Sequence, residues 1–465
     1  MLEKCLKTVV FLCLVGQTYC QELSPNFEYY RARGAIRKLL SKTLDGQSSI
    51  RSDWKVSRGH TKLTRVASLR DEQPRLISNA DSPERLVMVC GTRTVDEVNG
   101  VIGALATLNE RRKDCDPIRL HLITSADYVL PHIQKGASTS FVEINQLFHS
   151  NDVWLRDFGL WVQSKSKVYA VDACRSGDLP GLSSILARMA SAELIVPEGL
   201  SDNMSGNFGG NVIVTPNDVA IVGSTSQPRL RDFLDDYGYE KRMVIVDTSW
   251  LEVGHIDELL VFLPLPGKEG KWAIVRSSGR LALSLLKQME KSDFHKEVEK
   301  AVRNLRNCTI GALPEDERYE VTEMMTQLSL LNSHLQGRTS TSFEYTPALI
   351  ELNEDVDKML DAAVQMVKEV VKESCPNEQE PVVIELPSLF IDSLNGARSL
   401  APNVVNLVCL DDELLIPCPL CSFLRDETKK RLEQFGYKTH FIKTLTYHAL
   451  GGGLHCATTV LRRPR

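Results

Sequence analysis

Between Asn211 and Asp247 the chain passes through two short apolar runs, Asn211–Val214 and Val219–Val222, a helically spaced stretch, Leu230–Tyr237, and a third apolar run, Val244–Asp247. Pro216-Asn217-Asp218 joins the first two; proline sets φ and the short polar side chains favour a tight turn, so the pair reads as a hairpin. A strand, strand, helix, strand succession points to an α/β fold. A related theme opens earlier. Leu86–Cys90 reads as a buried strand, Thr94-x-x-Glu97 as a capping box, Val98, Val101, Ile102, Leu105 and Leu108 as one helix face, and Ile118–Leu122 as a returning strand. The units share little residue identity, so pattern alone does not make them an internal repeat.

Between about 292 and 374 the pattern turns helical, with Val356, Met359, Leu360, Ala363, Met366 and Val367 on one apolar face. The methionines read as core filler, and Glu315-Asp316-Glu317 as solvated surface. The start of the chain is different. A basic beginning, the apolar run Thr8–Gly16 and small residues at Thr18 and Cys20 read as a signal peptide over 1–20, too short to span a bilayer. A basic extension follows over 21–84, and 85–465 forms the main domain.

With 465 residues, 43% hydrophobic and 25% charged, the chain has the composition of a large globular protein. A net charge of −5 gives no general nucleic-acid signal, and no later stretch is long and apolar enough for a membrane span. Secretion would allow pairing among Cys90, Cys115, Cys174, Cys308, Cys375, Cys409, Cys418 and Cys421, although sequence does not fix the connectivity. Cys418-Pro419-Leu420-Cys421 has a half-zinc spacing with no second half, so no metal site is predicted. Asn203-Met204-Ser205 and Asn307-Cys308-Thr309 are glycosylation sequons in a secreted chain.

Three segments carry chemistry. Gly451-Gly452-Gly453-Leu454-His455-Cys456 sets a cysteine in a glycine-rich turn, where the backbone can approach a ligand and present a thiolate. Trp154-Leu155-Arg156-Asp157 and His255-Ile256-Asp257 supply an aromatic wall, two carboxylates and an acid–base group. A planar guanidinium accounts for all three, since carboxylates take its forked N–H groups in parallel hydrogen bonds. In an extended His-x-Asp segment, His255 and Asp257 would face the same side. Taken singly, each segment is equally compatible with ordinary packing or turn formation.

Together, in this order, the motifs resemble the guanidino-group modifying superfamily and within it the protein-arginine deiminases. The likeness runs over roughly 85–465 and includes Leu251–Leu259, Pro402-Asn403-Val404-Val405-Asn406, Ile416-Pro417, Thr446-Tyr447-His448 and Leu461–Pro464. It implies a five-bladed α/β propeller of ββαβ modules with a helical insertion, the site at its axis. It also implies Cys456 as nucleophile, His255 as acid and base, and Asp157 and Asp257 as the guanidinium clamp, with Trp154, Arg175 and Asn211 binding substrate. His455, on the opposite strand face, reads as packing.

The positions where calcium-dependent relatives place ligands hold Arg156, Phe158, Leu160 and Ile213, none of which offers a side-chain oxygen, so no cofactor is expected. Leu450 and Gly451 replace a basic pair of the animal enzymes, which leaves peptide selectivity open. The leading expectation is a secreted hydrolase acting on arginine in peptides or proteins. Agmatine or free arginine are alternative substrates, and a secreted binding protein without turnover is an alternative of another class.

Overall fold

The computed structural model describes principally residues 74–289 and 345–463, without short internal stretches at 113–114, 125–132, 134–139, 147–151, 165–166, 176–181, 198–199, 201–204 and 394–395. The signal peptide, most of the basic extension, both sequons and the 292–344 part of the helical region lie outside the described residues.

The fold is mixed α/β, and among the described residues five sheets share one layout. In each, a first strand pairs antiparallel with a second, and a third runs parallel to the second after a helix. Gly159–Ser164, Lys167–Asp172, helix Leu182–Met189 and Glu193–Ile195 make the first module. The second is Val212–Val214, Ala220–Gly223, helix Pro228–Asp236 and Met243–Val246, close to the boundaries expected from sequence. The third pairs Leu260–Pro264 with Trp272–Ser278 and reaches Val382–Pro387 after helices Gly279–Gln288 and Tyr345–Ser374. The fourth is Val408–Leu410, Glu413–Pro417, helix Ser422–Glu433 and Lys438–Ile442. The fifth joins distant parts of the chain: Thr458–Arg463 pairs with Ser82–Cys90, and helix Val95–Arg111 leads to Arg119–Thr124.

Hydrophobic alternation explains the layers. Val98, Val101, Ile102, Leu105 and Leu108 are buried in one core with Leu86–Cys90, each such side chain contributing about 1.5–3 kcal/mol of transfer free energy. Thr94 caps that helix by position, but the expected capping box is absent: Glu97 accepts instead from the backbone N–H of Thr446, 3.1 Å away. In Tyr345–Ser374, Val356, Leu360, Ala363 and Val367 are buried and Met359 is partly so, whereas Met366 is 40% exposed at the edge of the face expected to hold it. An ion cluster ties this helix to the third sheet. Arg276, fully buried, donates to Asp357 at 2.9 Å, lies 2.8 Å from Asp361 and contacts Glu385. Loss of Asp357 would strand a buried charge.

Arg75–Leu76 adds an edge to the first module and Ser82–Cys90 is central to the fifth, so residues 75–84 are woven into sheets rather than lying loose before them. Among the described residues no disulfide joins any two of Cys90, Cys115, Cys174, Cys375, Cys409, Cys418, Cys421 and Cys456. No helix among the described residues is long and apolar enough to cross a membrane.

Candidate active site

In every module the segment that enters the first strand carries one of Asp157, Asn211, His255, Asn406 and Cys456, and four of the five segments line one cavity. Asp157 lies in the 3-10 turn Leu155–Phe158 ahead of Gly159–Ser164, and Asn211 ends the turn Gly209–Asn211 ahead of Val212–Val214. His255, Asp257 and Glu258 precede Leu260–Pro264, Asn406 precedes Val408–Leu410, and Cys456 precedes Thr458–Arg463. Strand ends at which the backbone is freed from its ladder are where side chains of different modules can meet.

A cavity of ≈ 110 Å³ is lined by Trp154, Asp157, His255, Glu258, Asn406 and Cys456, among others. One close approach on its wall is made by a glycine. A Cβ at Gly452 would lie 2.4 Å from Cζ3 of the Trp154 ring, so only glycine lets the nucleophile turn close onto that wall. Trp154 in turn leans on Tyr447, ring centres 6.1 Å apart. Gly210 makes the same kind of approach to His255 and Asp257, with a built Cβ 2.7 Å from His255 Nδ1 and 3.1 Å from Asp257 Oδ2.

The turn that carries Cys456 is held by Asn406. Its Oδ1 accepts from the backbone N–H groups of His455 (2.8 Å) and Cys456 (3.3 Å), and its Nδ2 reaches Cys456 Sγ at 3.2 Å. Asn406 was quoted in the sequence only as part of a family likeness; its bonds to residues 49 and 50 positions away are not visible in local pattern.

The two expected clamp carboxylates separate. Asp157 faces the cavity, while Asp257 sits behind the nucleophile: its Oδ2 accepts from His455 Nδ1 at 2.7 Å and lies 3.7 Å from Cys456 Sγ. His455, read as packing, is thus bonded to the Asp of the His-x-Asp pair. The carboxyl beside Asp157 on the cavity wall is Glu258, which sequence reading passed over although it adjoins the motif. Nor is the His-x-Asp segment extended. Residues Ile256–Glu258 form a 3-10 turn, closed by Leu259 N–H to the Ile256 carbonyl (2.9 Å) and by Glu258 Oε1 accepting from His255 N–H (3.2 Å).

Arg175 lies against the first motif. It pairs with Asp152 at 2.8 Å, donates to the Trp154 carbonyl, approaches Asp157 to 3.8 Å and covers the Phe208 ring at 5.3 Å. Asn211 does not border the cavity; it is fully buried, with Nδ2 donating to Gly206 O (2.8 Å) and Thr225 Oγ1 (3.0 Å), which pins the glycine-rich turn. The structure therefore brings Trp154, Asp157, His255 and Cys456 to one cavity, and places Asp257, Arg175 and Asn211 around it.

Charge is distributed unevenly. Burial pushes Asp157 up to about 6 against the pull of His255 and Arg175, and burial with the neighbouring Asp257 charge pushes Glu258 up to about 8. Burial also works to raise Asp257, but the His455 hydrogen bond and the charges of His455, His255 and Arg156 outweigh it and hold Asp257 below its ordinary value. Burial lowers His455, consistent with a neutral imidazole donating Nδ1–H to a charged carboxylate. The Cys456 thiol is raised well above its usual range, first by burial and then by Asp257, Asp157 and Glu258. A cation entering the cavity would offset the rise at Asp157, Glu258 and Cys456 together.

Comparisons with known proteins bear on the family and the fold. A sequence model of the protein-arginine deiminase family matches residues 209–465. Human protein-arginine deiminase type-3 is 24% identical over 352 residues, 69% of this chain and 48% of that protein; mouse type-4 is 27% identical over 247 residues, 50% and 32%. The chain thus spans about half the length, or less, of the curated relatives it matches. A C. jejuni agmatine deiminase solved with substrate bound shares the fold at 12% identity, with a TM-score of 0.50 over 84% of this chain and 96% of the other. Since the family match covers more than half of the residues and includes Cys456, His255 and Asp257, this chain belongs to the protein-arginine deiminase family.

Proposed function

We propose that the chain is a hydrolase that converts peptidyl arginine to peptidyl citrulline and ammonium. The observation that carries this is a cysteine thiol sharing one cavity with His255 and with Asp157 and Glu258, the carboxyl acceptors that a guanidinium's N–H groups need. A buried thiol hemmed in by three carboxyl groups stays protonated until a cation arrives. Bound substrate offsets that field, the thiol proton passes to His255, and Sγ bonds to the guanidinium carbon. His255 returns the proton to the departing nitrogen, the C–N bond breaks, and ammonia leaves a thiouronium. Water then loses a proton to His255 and attacks; the C–S bond breaks and the ureido product departs. Asp257 orients His455 and Cys456 from behind, and Asn406 fixes the sulfur.

Three further readings belong to this proposal. The five modules stand around one axis as a propeller; residues from the first strand of every module border a single second cavity, which supports that arrangement. The chain is secreted, a reading that rests on the apolar run Thr8–Gly16. Calcium is not required, because the donor set does not fit it. Leu160 and Ile213 line that second cavity and Phe158 packs in the core, while Arg156 brings a fixed positive charge to where a hard cation would need oxygen.

The test is formation of the ureido product, a mass gain of about 1 Da by mass spectrometry, on a blocked arginine peptide, agmatine and free arginine. Peptide turnover that falls by roughly a thousandfold or more in Cys456→Ser is the expected result. Turnover of agmatine alone would replace the substrate, and near-normal activity of Cys456→Ser would remove the nucleophile.

A further inference from the structure

Behind the nucleophile lies a second cavity that shares no lining residue with the first. Asp257 and His455 form the wall between them, and the guanidinium groups of Arg156 and Arg462 face the new space together with Ser78 and Thr459. Its volume is ≈ 60 Å³. One water needs roughly 10–15 Å³ of such space, so several water-sized groups fit, the scale of a tetrahedral oxyanion.

The charges here do not balance. Arg156 donates a single side-chain hydrogen bond, Nη2 to the Val212 carbonyl at 3.4 Å, and its buried Nε has no partner among the described residues. Arg462 donates to three neutral acceptors: the carbonyls of Asp81 (2.8 Å) and Cys409 (2.6 Å), and Asn79 Oδ1 (2.9 Å). Neither forms an ion pair among the described residues. Of the carboxylates nearby, Asp81 accepts from both Nη atoms of Arg75, and Asp257 accepts from His455 through Oδ2, leaving its Oδ1 as the one carboxylate oxygen without a hydrogen bond among the described residues of this wall. Guanidinium groups keep their charge in any environment a protein provides, so two fixed cations share a polar cavity with one carboxylate whose Oδ2 is already bonded.

We infer that this cavity is a binding site for a small oxyanion, held between the guanidinium groups of Arg156 and Arg462. The forked donors of two arginines match the oxygens of phosphate or sulfate, and Ser78 and Thr459 add hydroxyl groups at the rim of the same space. None of its donors lines the cavity that holds Cys456, although Asp257 and His455, which the proposed reaction uses to position Cys456, border the oxyanion site.

Inorganic phosphate is the probe, titrated into the full chain at constant ionic strength against chloride, with thermal melts and calorimetry as readouts. A rise in Tm of roughly 2 °C at a tenfold excess over Kd is expected. Arg462→Met should weaken binding at least about tenfold, the loss of one bidentate partner. Asn79→Asp tests the idea without truncating the arginine: it sets a carboxylate where Arg462 now meets a neutral oxygen at 2.9 Å, at the loss of the Nδ2 bond to the Phe262 carbonyl, and it should abolish the shift. That variant decides if Arg462→Met fails to fold. Phosphate that stabilises no more than chloride, or binds Asn79→Asp as it binds the parent, overturns the inference.

Discussion

Glu258 shares the substrate cavity with Asp157 yet holds its proton to a higher pH, about 8 against about 6. A carboxyl group clamps a guanidinium only when ionised, that is, above its own value. kcat/KM, which reports the free enzyme, should therefore climb with pH through about 6 as Asp157 ionises, and climb again through about 8 as Glu258 does. Glu258→Gln should keep the lower limb, lose the upper one and raise KM on the order of tenfold, the worth of one charge-assisted hydrogen bond. An unchanged upper limb in that variant would place Glu258 outside substrate contact.

The elements that carry the site are joined by a second buried carboxyl. Glu97, on helix Val95–Arg111, accepts from Thr446 N–H at the start of helix Leu445–Ala449, which leads into the nucleophile turn. Burial pushes Glu97 up to about 7 from an ordinary 4.5, partly offset by that hydrogen bond. The native state thus binds the proton more tightly than the unfolded chain; the stability this confers is complete below 4.5 and is lost as pH rises through about 7. Glu97→Gln retains an acceptor and removes the charge. Urea melts at pH 8 should show the variant more stable by at most about 3 kcal/mol, with the difference vanishing toward pH 4.5; a variant less stable at pH 8 would refute the account. The second module was legible because its turn chemistry and apolar runs are local: Pro216-Asn217-Asp218 and the strands Val212–Val214 and Ala220–Gly223 lie within a few positions of one another. The His255-Ile256-Asp257 segment was misread because the Glu258 side chain bonds back to His255 N–H, a local competitor to extended backbone. Asn406 and the Asp257–His455 pair were out of reach, since their partners lie 50 and 198 positions away.

Across the whole molecule, the proposed independence from calcium rests on a cavity bordered by two arginines and aliphatic side chains. Arg156 and Arg462 repel a divalent cation, and Leu160 and Ile213 offer it no oxygen. Citrulline formation in excess chelator should stay within about twofold of that in calcium; steep dependence in a calcium titration would show that ligands come from elsewhere. The join that completes the fifth sheet has its own bearing on how the molecule comes into being. Arg462 and Asp81 meet across 381 positions of sequence. Bringing such distant partners together costs about 5 kcal/mol of chain entropy in its length-dependent part, so this pairing is favoured only once the intervening modules have compacted. Cys456 stands two positions before the strand that makes the pairing, and every other side chain of its cavity is synthesised earlier. In the proposed enzyme the cavity is therefore incomplete until strand Thr458–Arg463 docks, and every arginine of the chain except Arg462, Arg463 and Arg465 is synthesised before Cys456.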